Sequence, residues 1–218
     1  MSRPRPARGL PERTVLQGRY VRLEPIGAVH VPTLFAAASA PGAAERFRYL
    51  PERAPENQRE LAVWVERAAA QGDPLMFAVV DTASGRCGGR QALMRIVPEH
   101  GVIEIGSIYW GPDIARTRLA TEALYLFARY VFDTLGYRRF EWKCNNRNEP
   151  SKRAAQRFGF QFEGVFRQHM IQKGENRDTA WFSMLDGEWQ RLRPEYERWL
   201  GPGNFDAAGT QKTPLRFG

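Results

Sequence analysis

The sequence has few of the residues that build disulfide frameworks, metal sites or membrane spans. It contains only two cysteines, Cys87 and Cys144, and three scattered histidines, His30, His100 and His169. None of them belongs to a paired motif, so neither a disulfide framework nor a metal site is expected. No apolar run approaches the roughly 18 residues of a membrane span, and the first residues lack the hydrophobic core of a signal peptide. We therefore expect a cytoplasmic protein that does not enter a membrane.

The excess of positive charge is modest in the body of the chain. Lys and Arg number 32 against 24 Asp and Glu, a formal net charge of +8, and half of this excess lies in segments 1–13 and 201–218. The remainder favours an anionic ligand but is too small to require a polynucleotide, so nucleic-acid binding is not expected. A hydrophobic content of 43% with 12% aromatic residues is typical of a globular protein.

The length of 218 residues suits a single domain with appendages. Three prolines and four arginines within residues 1–14 predict a flexible basic arm. Residues 15–200 are predicted to form the folded domain, and residues 201–218 a Gly- and Pro-rich tail.

Hydrophobic periodicity predicts an α/β protein in which two helices follow the first strand. Strands are predicted at Tyr20–Glu24, Leu75–Asp81, Arg90–Val97, Val102–Trp110 and Arg139–Cys144, and in a closing hairpin of Phe160–Gln172 and Asp178–Leu185 around the turn Lys173–Arg177. Helices are predicted at Val29–Ser39, Asn57–Gln71 and Asp186–Leu200, between Leu119 and Gly136, and between Asn148 and Gly159. The segment Pro41–Pro55 is predicted to be an irregular link, and links of this length often cover a ligand.

The chain is organised around residues 103–155, where a strand leads through a basic turn into a long helix. The strand ends at Trp110, and the turn carries Pro112, Arg116 and Arg118. The N–H groups in the first turn of a helix lack intrahelical partners and lie at the positive end of the helix dipole. This arrangement predicts a site for a phosphate group at the start of the helix.

Three sequence signals occur in a fixed order in and after this stretch. They are Ile105-Gly106 followed after the turn by Leu119-Ala-Thr-Glu-Ala123, then Asn148-Glu-Pro-Ser151 with Arg157-Phe-Gly-Phe160, and then Phe162-Glu-Gly-Val165. In the order and spacing of these signals, residues 18–190 resemble the GCN5-related N-acetyltransferase (GNAT) superfamily. The resemblance is closest to the branch of the ribosomal-protein alanine acetyltransferases RimJ and RimL.

The resemblance implies a fold, a reaction and a co-substrate. The implied fold is a mixed, mostly antiparallel central sheet of about seven strands, splayed at the coenzyme A site and flanked by helices. The implied activity is that of an N-acetyltransferase, which moves the acetyl group of acetyl-CoA to a primary amine by direct attack in a ternary complex. The amine is a protein N-terminus or a small molecule, no metal takes part, and a homodimer is left open.

The resemblance also implies which residues contact acetyl-CoA. The last residues of the splayed strand would bind the pantetheine amides through their backbone, and the turn with the first helical residues would face the pyrophosphate. Asn148 would contact the pantetheine arm, and Ser151 would lie near the sulfur. The implied contact residues are Ile108, Tyr109, Trp110, Arg116, Thr117, Arg118, Leu119, Ala120, Thr121, Asn148 and Ser151.

One departure from the family lies at Arg116-Thr117-Arg118, where Gly-x-Gly is usual. Glycine permits positive φ and close backbone approach, whereas arginine adds a Cβ at a steric cost. In one outcome the loop takes ordinary dihedral angles and the two guanidinium groups contact phosphate. In the other outcome coenzyme A binding is weakened or lost, and the protein is a non-catalytic coenzyme A-binding or regulatory module.

Glu104 is the first candidate for the general base that removes the proton of the amine. It lies on a partly apolar strand face, where the charged form of a carboxylate is disfavoured, and the histone acetyltransferase branch has its catalytic glutamate in a similar strand position. The alternative is a cross-strand ion pair with Arg90 or Arg95. Both interpretations are left open.

Ser151 is the candidate partner of the departing thiolate, because the RimL-like branch has a serine at this position. A hydroxyl is a poor acid, so its expected role is to donate a hydrogen bond, alongside an ordinary role in the first turn of its helix. Cys144 is predicted to be a core residue. Glu141 is predicted to lie on a solvated strand face, and His169 is predicted to be structural rather than a proton relay.

The acceptor pocket is expected from the Pro41–Pro55 link and the final hairpin, which are the least family-like parts of the domain. Arg46, Arg48 and Arg167 in these segments hint at an acceptor that bears a carboxylate. The alternative is that these arginines are simply solvated, as charged loop residues usually are.

Overall fold

The computed structural model describes residues 5–217, and within them it has eight strands and six α-helices. The strands are β1 Leu16–Gln17, β2 Val21–Pro25, β3 Leu75–Asp81, β4 Cys87–Val97, β5 Val102–Trp110, β6 Arg139–Asn145, β7 Gln161–Gln172 and β8 Glu175–Leu185. The helices are α1 Val31–Ala38, α2 Ala43–Phe47, α3 Gln58–Ala70, α4 Arg118–Arg129, α5 Glu149–Arg157 and α6 Asp186–Trp199, and α4 continues as a π-helix over Tyr130–Thr134.

The strands form a sheet in the order β1-β2-β3-β4-β5-β6-β8-β7. The pairs β1–β2, β2–β3, β3–β4, β6–β8 and β7–β8 are antiparallel. The predicted α/β fold with a mostly antiparallel sheet and flanking helices is therefore confirmed, with the short β1 as an additional strand. The splay at the coenzyme A site stays a prediction.

The chain divides into two compact units. We call the first, residues 11–95 and 105–126, the β1–β4 unit, and the second, residues up to 10, 96–104 and 127 onwards, the β6–β8 unit. The predicted basic arm falls partly outside the described residues, at 1–4. Further along this arm, Ala7 N donates to Pro98 O at 2.9 Å and Arg8 N donates to Leu135 O at 2.8 Å, all within the β6–β8 unit. The predicted domain boundaries at 14 and 200 stay a prediction.

The core of the β1–β4 unit lies where α1 and α3 pack on the sheet. Helix α3 begins as its sequence predicts, because Asn57 Oδ1 accepts a hydrogen bond from Glu60 N at 2.9 Å. The link Pro41–Pro55 is not wholly irregular, since it contains the five-residue helix α2. The buried side chains of this core include Leu34, Leu61, Val65, Met76 and Tyr109.

The core of the β6–β8 unit is built largely from aromatic rings. Phe140 packs against Phe160 at 5.6 Å between ring centroids, and Trp142 packs against Phe158 at 6.2 Å. The β7–β8 hairpin closes through Lys173 and Gly174, both with positive φ, so its turn is tighter than the predicted Lys173–Arg177. In the described residues 5–217, no helix is both long and apolar enough to cross a bilayer.

Candidate active site

The turn between β5 and α4 is packed tightly against the neighbouring strand β4. Gly111 N donates a hydrogen bond to Gly88 O at 2.9 Å, and Gly111 O in turn accepts from Ile114 N and Ala115 N at 3.0 and 2.9 Å. A Cβ atom on Gly111 would lie 2.7 Å from Gly88 O. Glycine at position 111 is therefore required by this close approach, and it fixes where the turn begins.

Arg116 has a left-handed backbone, with φ of +64°. The expectation of ordinary dihedral angles in this loop is therefore wrong. Left-handed backbone disfavours residues with a Cβ and is adopted most readily by glycine. The loop thus has the conformation that glycine favours, while the residue in it is an arginine with an exposed side chain.

The start of helix α4 is capped by Thr117. Thr117 Oγ1 accepts a hydrogen bond from Leu119 N at 3.1 Å and donates to Ile114 O at 2.7 Å. The side chains of Ala120 and Thr121 are buried. A ligand at this helix start would therefore meet backbone N–H groups rather than those two side chains.

Arg118 lies at the first position of α4 and is partly buried. Its guanidinium carbon is 4.4 Å from the centre of the Tyr20 ring, a cation–π contact within the β1–β4 unit. The contact orients the guanidinium group at the helix start. The two arginine side chains therefore differ in their surroundings: Arg118 packs on the Tyr20 ring, whereas Arg116 is exposed.

The end of β5 alternates between the two sheet faces. Tyr109 is buried in the core, and its hydroxyl donates to Ala37 O at 2.7 Å. Burial raises the pKa of Tyr109, and a hydrogen bond with Arg46 only partly offsets this. Ile108 and Trp110 are half-buried, and by strand alternation they point to the opposite face.

Gln91 connects the end of β5 to helix α4. Its Oε1 accepts a hydrogen bond from Trp110 Nε1 at 3.1 Å, and its Nε2 donates to Ala123 O at 3.0 Å. Gln91 is fully buried, so each of these hydrogen bonds satisfies a group that would otherwise be costly to bury. The strand end and the helix thus keep a fixed relation.

Glu122 connects helix α4 to the backbone at the start of β2. Its buried carboxylate accepts hydrogen bonds from the backbone N–H groups of Arg19, Tyr20 and Val21 at 2.9, 2.5 and 2.7 Å. A Cβ on Gly18 would lie 2.7 Å from this carboxylate. The sequence gives Glu122 only as part of the Leu119–Ala123 signal, so this anchoring contact was not predicted.

Ser151 lies in the β6–β8 unit, at the start of α5. Asn148 caps this helix, and its Oδ1 accepts from Ser151 N at 3.1 Å. Ser151 Oγ accepts a hydrogen bond from Trp142 Nε1 at 3.0 Å. Burial raises the pKa of the Cys144 thiol, and a hydrogen bond with Ser151 partly offsets this. Trp142 was predicted only as part of the strand Arg139–Cys144, so its hydrogen bond to Ser151 was not predicted.

Glu104 forms a buried ion pair with Lys143. Its Oε2 lies 2.8 Å from Lys143 Nζ, and Lys143 Nζ also lies 2.7 Å from Glu141 Oε2. The ion-pair interpretation of Glu104 thus has a partner other than Arg90, which contacts Ser107 and Glu52. The side chains of Glu104 and Lys143 are each only 4% exposed.

The row of charges continues along β6. Arg139 makes two hydrogen bonds to the carboxylate of Glu163, at 2.7 and 2.5 Å, and Ser183 Oγ donates to the same carboxylate at 2.7 Å. The hydrogen bonds from Arg139 lower the pKa of Glu163 to about 2, against the cost of burial. Glu141 is buried within this row, so the prediction that it lies on a solvated strand face is wrong.

Residues 21–161, about two thirds of the chain, match the family model of the acetyltransferase (GNAT) domain. The chain belongs to the GNAT acetyltransferase family. It is therefore an acetyltransferase of the kind that uses acetyl-CoA.

Solved structures of other GNAT proteins cover nearly the whole chain. A GCN5-related N-acetyltransferase from Brucella melitensis is 59% identical, with 97% of this chain and 96% of that chain covered and a TM-score of 0.94. A probable GNAT acetyltransferase from Chromobacterium violaceum is 40% identical, with 87% and 94% covered and a TM-score of 0.79. Among curated proteins, the uncharacterized N-acetyltransferase p20 of Bacillus licheniformis is 28% identical over 139 residues, which are 60% of this chain and 73% of that protein.

In this GNAT enzyme the predicted site residues fall into two sets. The β1–β4 unit holds the end of β5, the turn and the start of α4, with all predicted contacts from Ile108 to Thr121. The β6–β8 unit holds Glu104, Asn148 and Ser151. Within residues 5–217, His, Cys, Asp and Glu side chains form no group of three that could hold a metal ion.

Within the β6–β8 unit, Glu104 and Ser151 contact opposite sides of strand β6. Glu104 pairs with Lys143, whereas Ser151 bonds to Trp142. Adjacent strand residues point to opposite faces. The two predicted catalytic residues of this GNAT enzyme are therefore reached from different faces of β6.

Proposed function

We propose that this GNAT enzyme transfers the acetyl group of acetyl-CoA to a primary amine by direct attack of the amine on the thioester. The observation that carries the proposal is the left-handed backbone of Arg116 before the capped start of α4. A loop of this shape in front of a helix N-terminus suits the pyrophosphate, because the N–H groups of a first helical turn and the helix dipole both favour negative charge.

The residues of this loop fit an anionic ligand chemically as well. Arg116 and Arg118 add two guanidinium groups, which bind phosphate oxygens through paired hydrogen bonds. Their replacement of the usual glycines is therefore compatible with retained acetyl-CoA binding, and we propose Ile108–Trp110 and Arg116–Thr121 as the contacts of the β1–β4 unit.

In the β6–β8 unit we propose Asn148 as a pantetheine contact and Ser151 as the hydrogen-bond donor to the departing sulfur. Trp142 already donates to Ser151 Oγ, so the oxygen acts as acceptor there, and the hydroxyl proton would turn from the Cys144 sulfur to the departing sulfur. In the reaction the C–N bond forms as the C–S bond breaks. The electron pair leaves on the sulfur, which the Ser151 hydroxyl stabilises.

We propose Glu104 as the group that takes the proton lost by the amine. Lys143 Nζ lies 2.8 Å from Glu104 Oε2 and holds the carboxylate in position. Glu104 is only 3% exposed, so the proton would reach it through an intervening water molecule. The acceptor is a protein N-terminus, as in the RimJ and RimL branch, or a small amine.

The experiment combines two measurements on the purified protein. Acetyl-CoA is titrated calorimetrically, and thiol release is then followed with a panel of peptides and small amines. Saturable acetyl-CoA binding with amine-dependent thiol release supports the proposal. Binding without release on every amine contradicts it and favours a non-catalytic coenzyme A-binding module.

A further inference from the structure

The β1–β4 unit contains a pocket with an ion pair in its wall. It lies between α1, α3, the part of the link that follows α2, and strands β4 and β5, and it has a cavity volume of about 80 Å³. A single water needs roughly 10–15 Å³ of such volume, so the pocket has room for the apolar part of a small molecule. Its lining includes Leu34, Phe47, Leu61, Trp64, Glu52 and Arg90.

Arg90 is held in place independently of any ligand. Its Nη1 donates to both Ser107 O and Ser107 Oγ at 2.6 Å, and its guanidinium carbon lies 4.3 Å from the centre of the Trp64 ring. Burial lowers the pKa of Arg90, which means that its charge is costly here and needs a counterion. Glu52 supplies this counterion from the link.

The charge that a ligand meets in this pocket is that of Glu52. The Glu52 side chain is 25% exposed, whereas that of Arg90 is 4% exposed. Glu60 and Arg53 also line the pocket, at 39% and 58% exposure, and they pair with each other at 3.0 Å. Arg53 pairs with Glu56 as well, at 3.2 Å. Glu52 is therefore the accessible lining charge whose counterion, Arg90, is itself inaccessible, and apolar and aromatic side chains surround it.

Arg46 and Arg48 are the two arginines of this unit that hinted at a carboxylate-bearing acceptor, and both have other partners. Arg46 donates to Ala40 O at 2.6 Å and to Pro41 O at 2.8 Å, so it holds the start of the link together. Arg48 pairs with Glu45 at 3.6 Å and is 61% exposed. Neither of them lines the pocket.

The pocket adjoins the strand segment proposed to bind pantetheine. Ser107, which holds Arg90, and Tyr109, which lines the pocket, flank Ile108 in β5. Ser107 has a φ of +50°, and such strained positions within strands are found preferentially at ligand sites.

We propose that this pocket binds the acceptor, and that Glu52, oriented by Arg90, selects a primary amine with a compact apolar body and without a carboxylate. The inference rests on the proposed amine acetylation and names its substrate class. The acceptor binds as an ammonium ion against the Glu52 carboxylate, and its apolar body packs on Leu34, Phe47 and Leu61. It becomes the nucleophile after giving one proton to water, and the second proton goes to Glu104 when the C–N bond forms. A carboxylate on the ligand would be repelled by Glu52.

Three probes that share an isopentyl chain and differ in the charge of the head group test the preference: isopentylamine, isopentanol and 4-methylpentanoate. Their binding is measured by titration of ¹⁵N chemical shifts without acetyl-CoA. We expect the amine to bind the wild-type protein about tenfold or more tightly than the alcohol, since a hydrogen bond to a charged group is worth about 1.5–3 kcal/mol. Tighter binding of 4-methylpentanoate than of the amine would overturn the inference in favour of a carboxylate that displaces Glu52 from Arg90.

Glu52→Gln tests the residue, with Glu56→Gln as the matched control, because Glu56 directly follows the same link and is 72% exposed. We expect Glu52→Gln to abolish the preference for the amine over the alcohol and Glu56→Gln to preserve it. An unchanged preference in Glu52→Gln would overturn the inference. If Glu52→Gln does not fold, as judged by thermal unfolding, Glu52→Asp is used, and it must retain the preference because it keeps the charge.

Turnover separates this inference from the proposed function. If acetyl-CoA binds but no amine is acetylated, the proposed function fails. If amines are acetylated with equal kcat/KM by wild type and Glu52→Gln, the assignment of Glu52 fails and the proposed function stands.

Discussion

The ammonium group of Lys143 lies between two buried carboxylates, 2.8 Å from Glu104 and 2.7 Å from Glu141. It also lies 3.8 Å from the centre of the Trp181 ring, so it is enclosed on a third side. One buried cation therefore neutralises two buried anions, and changes at these positions are coupled.

Replacing Lys143 by methionine removes this shared counterion. We expect the free energy of unfolding to fall by about 3–5 kcal/mol, because two uncompensated carboxylates remain buried. Urea denaturation measures the change. Lys152→Met is the control, since Lys152 is more exposed and pairs with Glu149 near the surface, and its effect should be about 0–1 kcal/mol. A loss for Lys143→Met no larger than for the control would contradict the buried ion pair.

Glu104→Gln tests the proposed base. We expect turnover to fall by about 10²-fold or more, the usual contribution of a positioned base, while acetyl-CoA affinity stays nearly unchanged. Steady-state kinetics across pH and calorimetry provide the two values. Turnover equal to wild type at every pH would exclude Glu104 as the base and leave it as a structural partner of Lys143.

Arg116→Gly and Arg116→Ala separate the backbone of this loop from its charge. Both remove the guanidinium group, but only glycine relieves the left-handed strain, so we expect the glycine variant to be more stable by about 1 kcal/mol. If the guanidinium contacts phosphate, both variants bind acetyl-CoA more weakly, and the loss shrinks at high salt. Stronger binding by both variants would show that the side chain obstructs the site.

Ser151→Ala tests the proposed hydrogen bond to the sulfur. We expect kcat to fall by about tenfold or more, with little change in acetyl-CoA affinity, because the contact strengthens as the thiolate forms. Trp142→Phe removes the donor to Ser151 Oγ and should lower kcat to a smaller extent. Stopped-flow and steady-state measurements give both constants. An unchanged kcat in Ser151→Ala would exclude the hydrogen bond to the sulfur and leave Ser151 with only its structural role in α5.

The lowered pKa of Glu163 predicts how the free energy of unfolding changes at acidic pH. Arg139 holds its pKa at about 2, below the ordinary 4.5, so the folded state favours the ionised form. This contribution to stability is fully present above about pH 4.5 and is lost as pH falls toward 2. We expect the difference in unfolding free energy between wild type and Glu163→Gln to shrink over that range. Glu175→Gln, an exposed change in the same hairpin, should show no such trend.

The charged row of β6 shows where sequence patterning succeeded and where it failed. Alternation of Arg139, Glu141 and Lys143 with apolar residues predicted a strand, and the structure has one. Alternation does not reveal whether the polar face meets water, and here opposite charges on one face neutralise one another and allow burial. The prediction therefore gave the strand but placed Glu141 in the wrong environment.

Local signals also fell short where elements are brief or rich in glycine. Helix α2 has five residues, too few for helical periodicity to appear. Strand β4 begins at Cys87, and the prediction began it at Arg90 because Gly88 and Gly89 carry no strand signal. The lack of a Cβ at Gly89 lets β5 approach, and at Gly88 it leaves room for the Ile114 side chain. The hairpin turn was predicted too long, because the polar residues Glu175, Asn176 and Arg177 resemble turn residues but belong to β8.

At the candidate site, the assignment of residues from the resemblance stays a prediction, and the structure shows what those residues contact. The order of signals placed the turn, α4 and α5 correctly. It did not disclose the left-handed backbone of Arg116 or the Lys143 partner of Glu104, because both depend on long-range packing. The pocket around Arg90 could not be predicted from the sequence either, because residues far apart in the chain form its lining.

The carboxylate of Glu122 has a consequence for the limits of this enzyme. The matched GNAT region begins at Val21, whereas two of the three N–H groups that Glu122 binds belong to Arg19 and Tyr20. A chain trimmed to begin at Val21 would retain all three sequence signals and yet leave a buried anion with most of its donors removed. The anchor of the helix start therefore lies upstream of the region by which the family is recognised.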